Sequence, residues 1–158
     1  MAKQSAGLLL YRKRAGQLEV FLVHPGGPFW SKKDDGAWSI PKGEAIDSED
    51  LLEAAKRELE EETGYSVSGI FQPLSPLRQP SGKIVHAWAV EADLDAGKIK
   101  SNLFSIELPR GSGKFKEFPE VDRADWFPLT VARRKLLKGQ VAFLEQLQQM
   151  VLPDKSLP

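Results

Sequence analysis

Glu58, Glu60, Glu61 and Glu62 crowd the last turns of a stretch that reads as helix and stops at Gly64. A helix C-terminus carries partial negative charge, so each glutamate there costs ~0.3–1 kcal/mol where a lysine would stabilise. The like pair Glu58 and Glu62, four residues apart, adds ~0.2–0.5 kcal/mol of repulsion. A segment that surrenders stability in this way asks for a compensating cation. With Leu52 set at zero and about 100° per residue, Glu58, Glu61 and Glu62 share an arc of about 180° to 280°. Leu52, Ala55 and Leu59 lie beside them, between about 300° and 360°, as the packing stripe. Glu53, Lys56 and Glu60 fall on the other side of that stripe and read as solvated. Three carboxylates on one face suit a hard cation, and Mg²⁺ binds through one or two carboxylates, substrate phosphates and retained water. The plain alternative is an acidic face turned to water, since glutamate is a good helix former.

The elements that must hold this face can be read along the chain. Residues 5–12 and 18–24 are apolar and β-prone, and the turn between them makes them paired strands. Residues 24–36, HPGGPFWSKKDDG, form a surface loop rich in Gly, Pro and charge that leads to a short strand at 37–40, which Pro41 stops. One helix spans about 48–63, with Asp47 or Ser48 as N-cap and Gly64 as its stop. Residues 67–71, 83–92 and 124–127 read as further strands. Thr130 caps a short helix to Leu137, Gly139 ends it, and Val141, Leu144, Leu147 and Val151 recur at helical spacing. Residues 93–123 are the hardest to place, with the Gly and Lys content of a functional loop. Helices therefore cover a mixed sheet, an α/β arrangement in one domain, residues 1–158.

Composition narrows the partners. The 158 residues carry 22 Lys plus Arg and 22 Asp plus Glu, so net charge favours neither a nucleic-acid groove nor an anionic membrane. Acid gathers in 44–62 and base around 32–33, 110–116 and 133–138. With no cysteine there is no disulfide, thiolate zinc site or cysteine nucleophile. The two histidines, His24 and His86, read as strand or loop residues rather than ligands. The apolar run near residue 8 is too short for a signal sequence or membrane span, which implies a cytoplasmic protein.

Gly43, Glu49, Arg57-Glu58-Leu59, Glu61-Glu62 and Gly64-Tyr65 stand at the spacing of the Nudix box, and residues 43–65 resemble it at all seven fixed identities. Tyr65, where an aliphatic is commoner, is a mild departure. The order of strands and helices also resembles the Nudix α/β/α sandwich. The resemblance implies hydrolysis of a diphosphate linkage in a nucleoside diphosphate derivative, with Mg²⁺, or Mn²⁺ in its place, as cofactor. By similarity Glu58, Glu61 and Glu62 bind the metal, and Glu58 by preference orients or deprotonates the attacking water, with Glu61 beside it on the catalytic face. Arg57 orients these glutamates, and Glu49 braces the loop. Gly43 permits an unusual backbone angle, so that the carbonyl of Lys42 faces the metal.

Four further residues are candidates. Glu117 and Glu120 lie where many Nudix enzymes supply an extra ligand or base, or else are simply exposed. Lys42 offers an ammonium to a phosphate. Trp30 offers a stacking surface to a base, whereas Trp38, Trp88 and Trp126 read as core. The PKGE form leading into the box resembles enzymes of dinucleoside polyphosphates or diphosphoinositol polyphosphates. The favoured substrates are dinucleoside polyphosphates or nucleoside triphosphates. A non-catalytic nucleotide-binding module and an RNA-end pyrophosphohydrolase, which the basic residues at 110–116 and 133–134 would serve, are the alternatives.

Overall fold

The computed structural model describes residues 3–151, and the expected domain limits at residues 1 and 158 lie outside the described residues. Strand β1 (Gln4–Arg14) is apolar on consecutive positions through its middle, as a strand covered on both faces must be. Ala6, Leu8 and Leu10 face one hydrophobic cluster and Leu9 the other. Ala15 and Gly16, both at positive φ, make the tight turn into β2 (Gln17–Pro25), which returns antiparallel with Tyr11 opposite Val20.

There follow β3 (Lys42–Glu44), helix α1 (Leu51–Thr63), the two-residue strands β4 (Gln72–Pro73) and β5 (Leu77–Arg78), and β6 (Ile84–Glu91). Then come β7 (Leu103–Glu107), β8 (Phe115–Pro119), β9 (Val121–Pro128), α2 (Leu129–Lys135) and α3 (Val141–Val151). One sheet runs β4-β6-β1-β2-β9, with β3 added on β1 and β5 on β6. It is mixed, because β1 and β6 are parallel while the other pairs are antiparallel. Ala54, Ala55 and Leu59 of α1 cover one face against Ala6, Leu8, Leu10, Phe21 and Val23. Phe143, Leu144 and Leu147 of α3, with Ala132 of α2, cover the other against Leu9, Leu22, Ile40 and Val85. The result is the expected α/β/α sandwich with a mixed sheet.

Several boundaries differ from the sequence expectation. Residues 37–40 are not a strand: Ser39 bridges only Val23, and Trp38 only Leu136. The strand lies beyond Pro41, at β3, because β1 and β2 pair only at their turn-proximal ends and residues 39–44 wedge into the gap that opens. Helix α1 is capped by Asp50, whose carboxylate accepts from Glu53 N at 3.1 Å, rather than by Asp47 or Ser48. Ser48 sits at φ 67, a left-handed conformation that an N-cap does not take. Residues 67–71 form no strand: Val67 and Phe71 pack under α1, and β4 takes the free edge of β6 instead. Thr130 is not a cap, since α2 begins at Leu129 behind Pro128 and ends at Lys135. The segment 93–123 contains the β7–β8 hairpin, whose Phe104 lies 6.2 Å from Phe118 and meets the loop at Gly27.

Candidate active site

The wedge brings the start of the box beneath α1. Leu8 N donates to Pro41 O at 3.1 Å, and Gly7, Ala6 and Ser5 pair with Lys42, Gly43 and Glu44. A Cβ on Gly7 would lie 2.6 Å from Lys42 Cβ, so only glycine lets the two strands approach this closely. Gly43 is needed for the same reason. It is not in the left-handed region, so the expected unusual backbone angle is absent. A Cβ there would stand 2.1 Å from Oε1 of Glu58. The glycine makes room for the carboxylate.

Arg57 binds the surrounding acids together. Its Nε and Nη2 donate to Glu49 Oε2 and Oε1 at 2.9 and 3.0 Å, a forked contact. Nη1 donates to Glu58 Oε2 at 2.8 Å and to Glu61 Oε2 at 3.0 Å, while Nη2 also reaches Glu44 O at 3.2 Å. Glu49 in turn accepts from Ile46 N at 3.0 Å, which ties the loop before α1 to the same network. The hydrogen bond from Arg57 holds the Glu49 carboxyl below its usual range. No basic residue stands in the last turn of α1, so Arg57, one turn back, is the helix's own partial answer to its acidic end.

The acids do not share one solvated face. Ala54 and Glu58 are buried together with Ala55 and Leu59, so the arc assigned to the carboxylates lies partly under the protein. Burial pushes the Glu58 carboxyl up, and the neighbouring charge of Glu61 adds to this. Glu62 is pushed up to about 8, first by burial and then by Glu58 and Glu120, with Lys42 pulling the other way. Glu120, between β8 and β9, is raised by burial and by Glu61. Glu58 and Glu120 thus feel the charge of Glu61, and Glu62 that of Glu58 and Glu120. Glu117 stands apart, exposed on β8 opposite Ser105.

Beside these acids a cleft of ≈ 230 Å³ is lined by Trp30, Ser39, Lys42, Glu62, Glu120 and Leu137, among others. Lys42 is half-buried, and its ammonium is pulled below the usual lysine range by burial and by Lys83. Trp30 is half-buried with the Lys33 ammonium 5.0 Å from its ring. Trp38 and Trp126 are buried, and Trp88 packs half-buried against the α1-side cluster. His24 is fully buried on β2, its Nδ1 2.8 Å from Asp122 and its Nε2 2.6 Å from Lys33 O; His86 bonds Gln4. Ser39, Leu137 and Gln140 were missed in the sequence, where an isolated serine, leucine or glutamine sends no chemical signal.

Among the described residues, no three acidic or histidine side chains close on a common point. Arg57 occupies one oxygen of Glu58 and both of Glu61, and Glu62 turns toward Lys42. The donor set nevertheless fits a hard divalent cation. Carboxylates that raise one another's proton affinity are relieved by positive charge, and every donor is oxygen.

The NUDIX domain family matches residues 1–147. A stretch of 66 residues, 42% of this chain, is 39% identical to the bis(5'-nucleosyl)-tetraphosphatase (asymmetrical) of Caenorhabditis elegans and spans 44% of that relative, less than half its length. An Ap4A hydrolase of C. elegans, solved as a binary complex, superposes with a TM-score of 0.68 at 21% identity, over 96% of this chain and 99% of that one. The NUDIX domain of Shewanella oneidensis NrtR, solved with ADP ribose, superposes at 0.66 and 20% identity, over 96% and 89%. At these identities the structural likeness is one of fold, whereas the family match takes in the whole box and the sheet around it. The chain belongs to the Nudix family.

Proposed function

We propose that the chain hydrolyses a diphosphate linkage with a divalent cation, Mg²⁺ or Mn²⁺, and that its favoured substrate is a dinucleoside polyphosphate. The carrying observation is that Glu58, Glu62 and Glu120, with the charge of Glu61 beside them, are all raised in proton affinity at the edge of a cleft that Lys42 and Trp30 also line. These four acids and the Lys42 carbonyl are the residues to hold the cation. When bound, it would neutralise charge on the phosphate oxygens of the scissile linkage.

The chain's own groups do the rest. Arg57 holds Glu58 and Glu61 in place. Glu58, whose burial raises its proton affinity, takes the proton of the attacking water. Lys42 meets a phosphate, and Trp30 offers its ring to a base. Glu120, rather than the exposed Glu117, joins from outside the box. The local sequence match to a worm tetraphosphatase supports the longer polyphosphate over a nucleoside triphosphate.

The test is a screen of nucleoside diphosphate derivatives with and without Mg²⁺, with the products identified. Metal-dependent release of two phosphate-bearing products from a dinucleoside tetraphosphate is expected. Binding without turnover across the panel would leave a nucleotide-binding module in place of an enzyme.

A further inference from the structure

Ile40 stands where the chain changes partners. Ser39 exchanges both backbone hydrogen bonds with Val23 of β2, and one residue past Ile40 the carbonyl of Pro41 already accepts from Leu8 of β1. At the crossing the N–H of Ile40 meets no backbone carbonyl among the described residues. Gln140 supplies one in its place: its Oε1 accepts from Ile40 N at 3.0 Å. Its Nε2 donates to Ser39 Oγ at 3.0 Å, and that hydroxyl donates to Ile40 O at 2.6 Å. Gln140 is fully buried, in the turn between α2 and α3, with its own N–H held by Leu137 O at 2.9 Å.

Buried glutamine is uncommon, and both ends of its amide must be satisfied to be tolerated. Here both ends serve the Ser39–Ile40 step, with Pro41 alone between it and Lys42. Beyond it there is little slack. Lys42 lies against Gly7 and Gly43 against the Glu58 carboxylate, each at a distance a single methyl group would abolish. A shift at Ile40 therefore passes to Lys42 rather than being absorbed by the packing.

We propose that Gln140 is a positioning residue for substrate binding: from the far side of the sheet it sets the chain crossing at Ile40, and so where Lys42 meets the phosphate chain. This rests on the function proposed above. It makes the α2–α3 junction a specificity element although it touches no substrate.

The experiment compares Gln140→Met, which keeps the shape and removes both hydrogen bonds, with Leu147→Ala, a core change in α3 that lowers Tm and leaves both Gln140 hydrogen bonds in place. Kinetics are measured with dinucleoside tetraphosphate and Mg²⁺, wild type first. For Gln140→Met, KM is expected to rise about tenfold, the size of one weakened charge-assisted phosphate contact, with kcat within about threefold. Leu147→Ala should lower Tm and leave KM alone. Unchanged KM in Gln140→Met, or an equal rise in Leu147→Ala, overturns the positioning role while leaving the proposed function standing. A wild type that turns over no diphosphate substrate overturns both. Should Gln140→Met not fold, Gln140→Leu, which also lacks both hydrogen-bonding ends, takes its place, and a KM equal to wild type would overturn the role just as well.

Discussion

The carboxylate of Glu58 rests on Gly43 with no room between them for a methyl group, the nearest oxygen being 2.1 Å from where a Cβ would stand. Gly43→Ala must therefore displace Glu58. The clash is with the end of a flexible side chain and the backbone angle suits alanine, so the fold should survive with a small change in Tm. Turnover should drop about a hundredfold, as a misplaced catalytic group commonly does. Near wild-type kcat in a folded Gly43→Ala protein would remove Glu58 from the chemistry.

Arg57→Lys keeps the charge and loses the fork. A lysine cannot hold Glu49 with two parallel bonds while also reaching Glu58 and Glu61. The expected result is a roughly 10- to 100-fold lower kcat from loosened carboxylates, with Glu49→Gln giving a smaller loss. Steady-state kinetics decides it; equal losses in the two variants would mean that Arg57 acts through the loop alone.

The raised carboxyls make metal-free stability depend on pH in an unusual direction. Between its ordinary 4.5 and about 8, folded Glu62 holds a proton that the unfolded chain has released. Stability is then fully present at the acidic end of that window and declines as pH rises through it, by at most ~1.4 kcal/mol per pH unit for one group. Glu58 and Glu120 shift the same way and add to the decline. Thermal melts in a chelator from pH 5 to 8.5 should show this fall, and Glu62→Gln should flatten it. A Tm that climbs across the window would contradict the burial of Glu62 as a carboxylic acid.

Mg²⁺ should raise Tm by binding linkage, and more at pH 8 than at pH 6, because Glu62 must lose its proton to serve as a donor. Glu53→Gln should leave the shift intact, since Glu53 is exposed and pairs with Lys56. Glu62→Gln should weaken it. Equal losses in both variants would refute the assignment of the acids to separate faces.

Lys42→Ala should narrow the preference for a dinucleoside tetraphosphate over a nucleoside triphosphate. A charge-assisted contact is worth ~1.5–3 kcal/mol, about ten- to a hundredfold in kcat/KM. Competition between the two substrates in one tube measures the ratio. A variant with unchanged selectivity would place the discrimination elsewhere.

The box was legible because its chemistry is local: the spacing of Glu58, Glu61 and Glu62 already puts them on one arc of the helix, and among the described residues the hydrogen bonds of the Arg57 side chain go to residues 44–61. The burial of that face was not legible, because it depends on β3 lying beneath α1, and β3 owes its place to strands that diverge. The N-cap was misread because the run DSED offers three candidates, and a left-handed Ser48 leaves the capping to Asp50. Gln140 was invisible for another reason: its partners are 100 residues away, and no periodicity marks a lone glutamine. Glu117 and Glu120 look alike in sequence, and only the turn from β8 to β9 separates an exposed acid from one at the cleft.

Every acceptor of Arg57 lies within its own stretch of chain, whereas the cleft walls come from residues as distant as Trp30, Glu120 and Leu137. Arg57 with Glu58, Glu61 and Glu62 can therefore be inherited as one short cassette, while the surroundings, Glu120 among them, can take substitutions piece by piece. A change of cleft wall at Trp30 or Leu137 leaves the acids of the box and their arginine untouched.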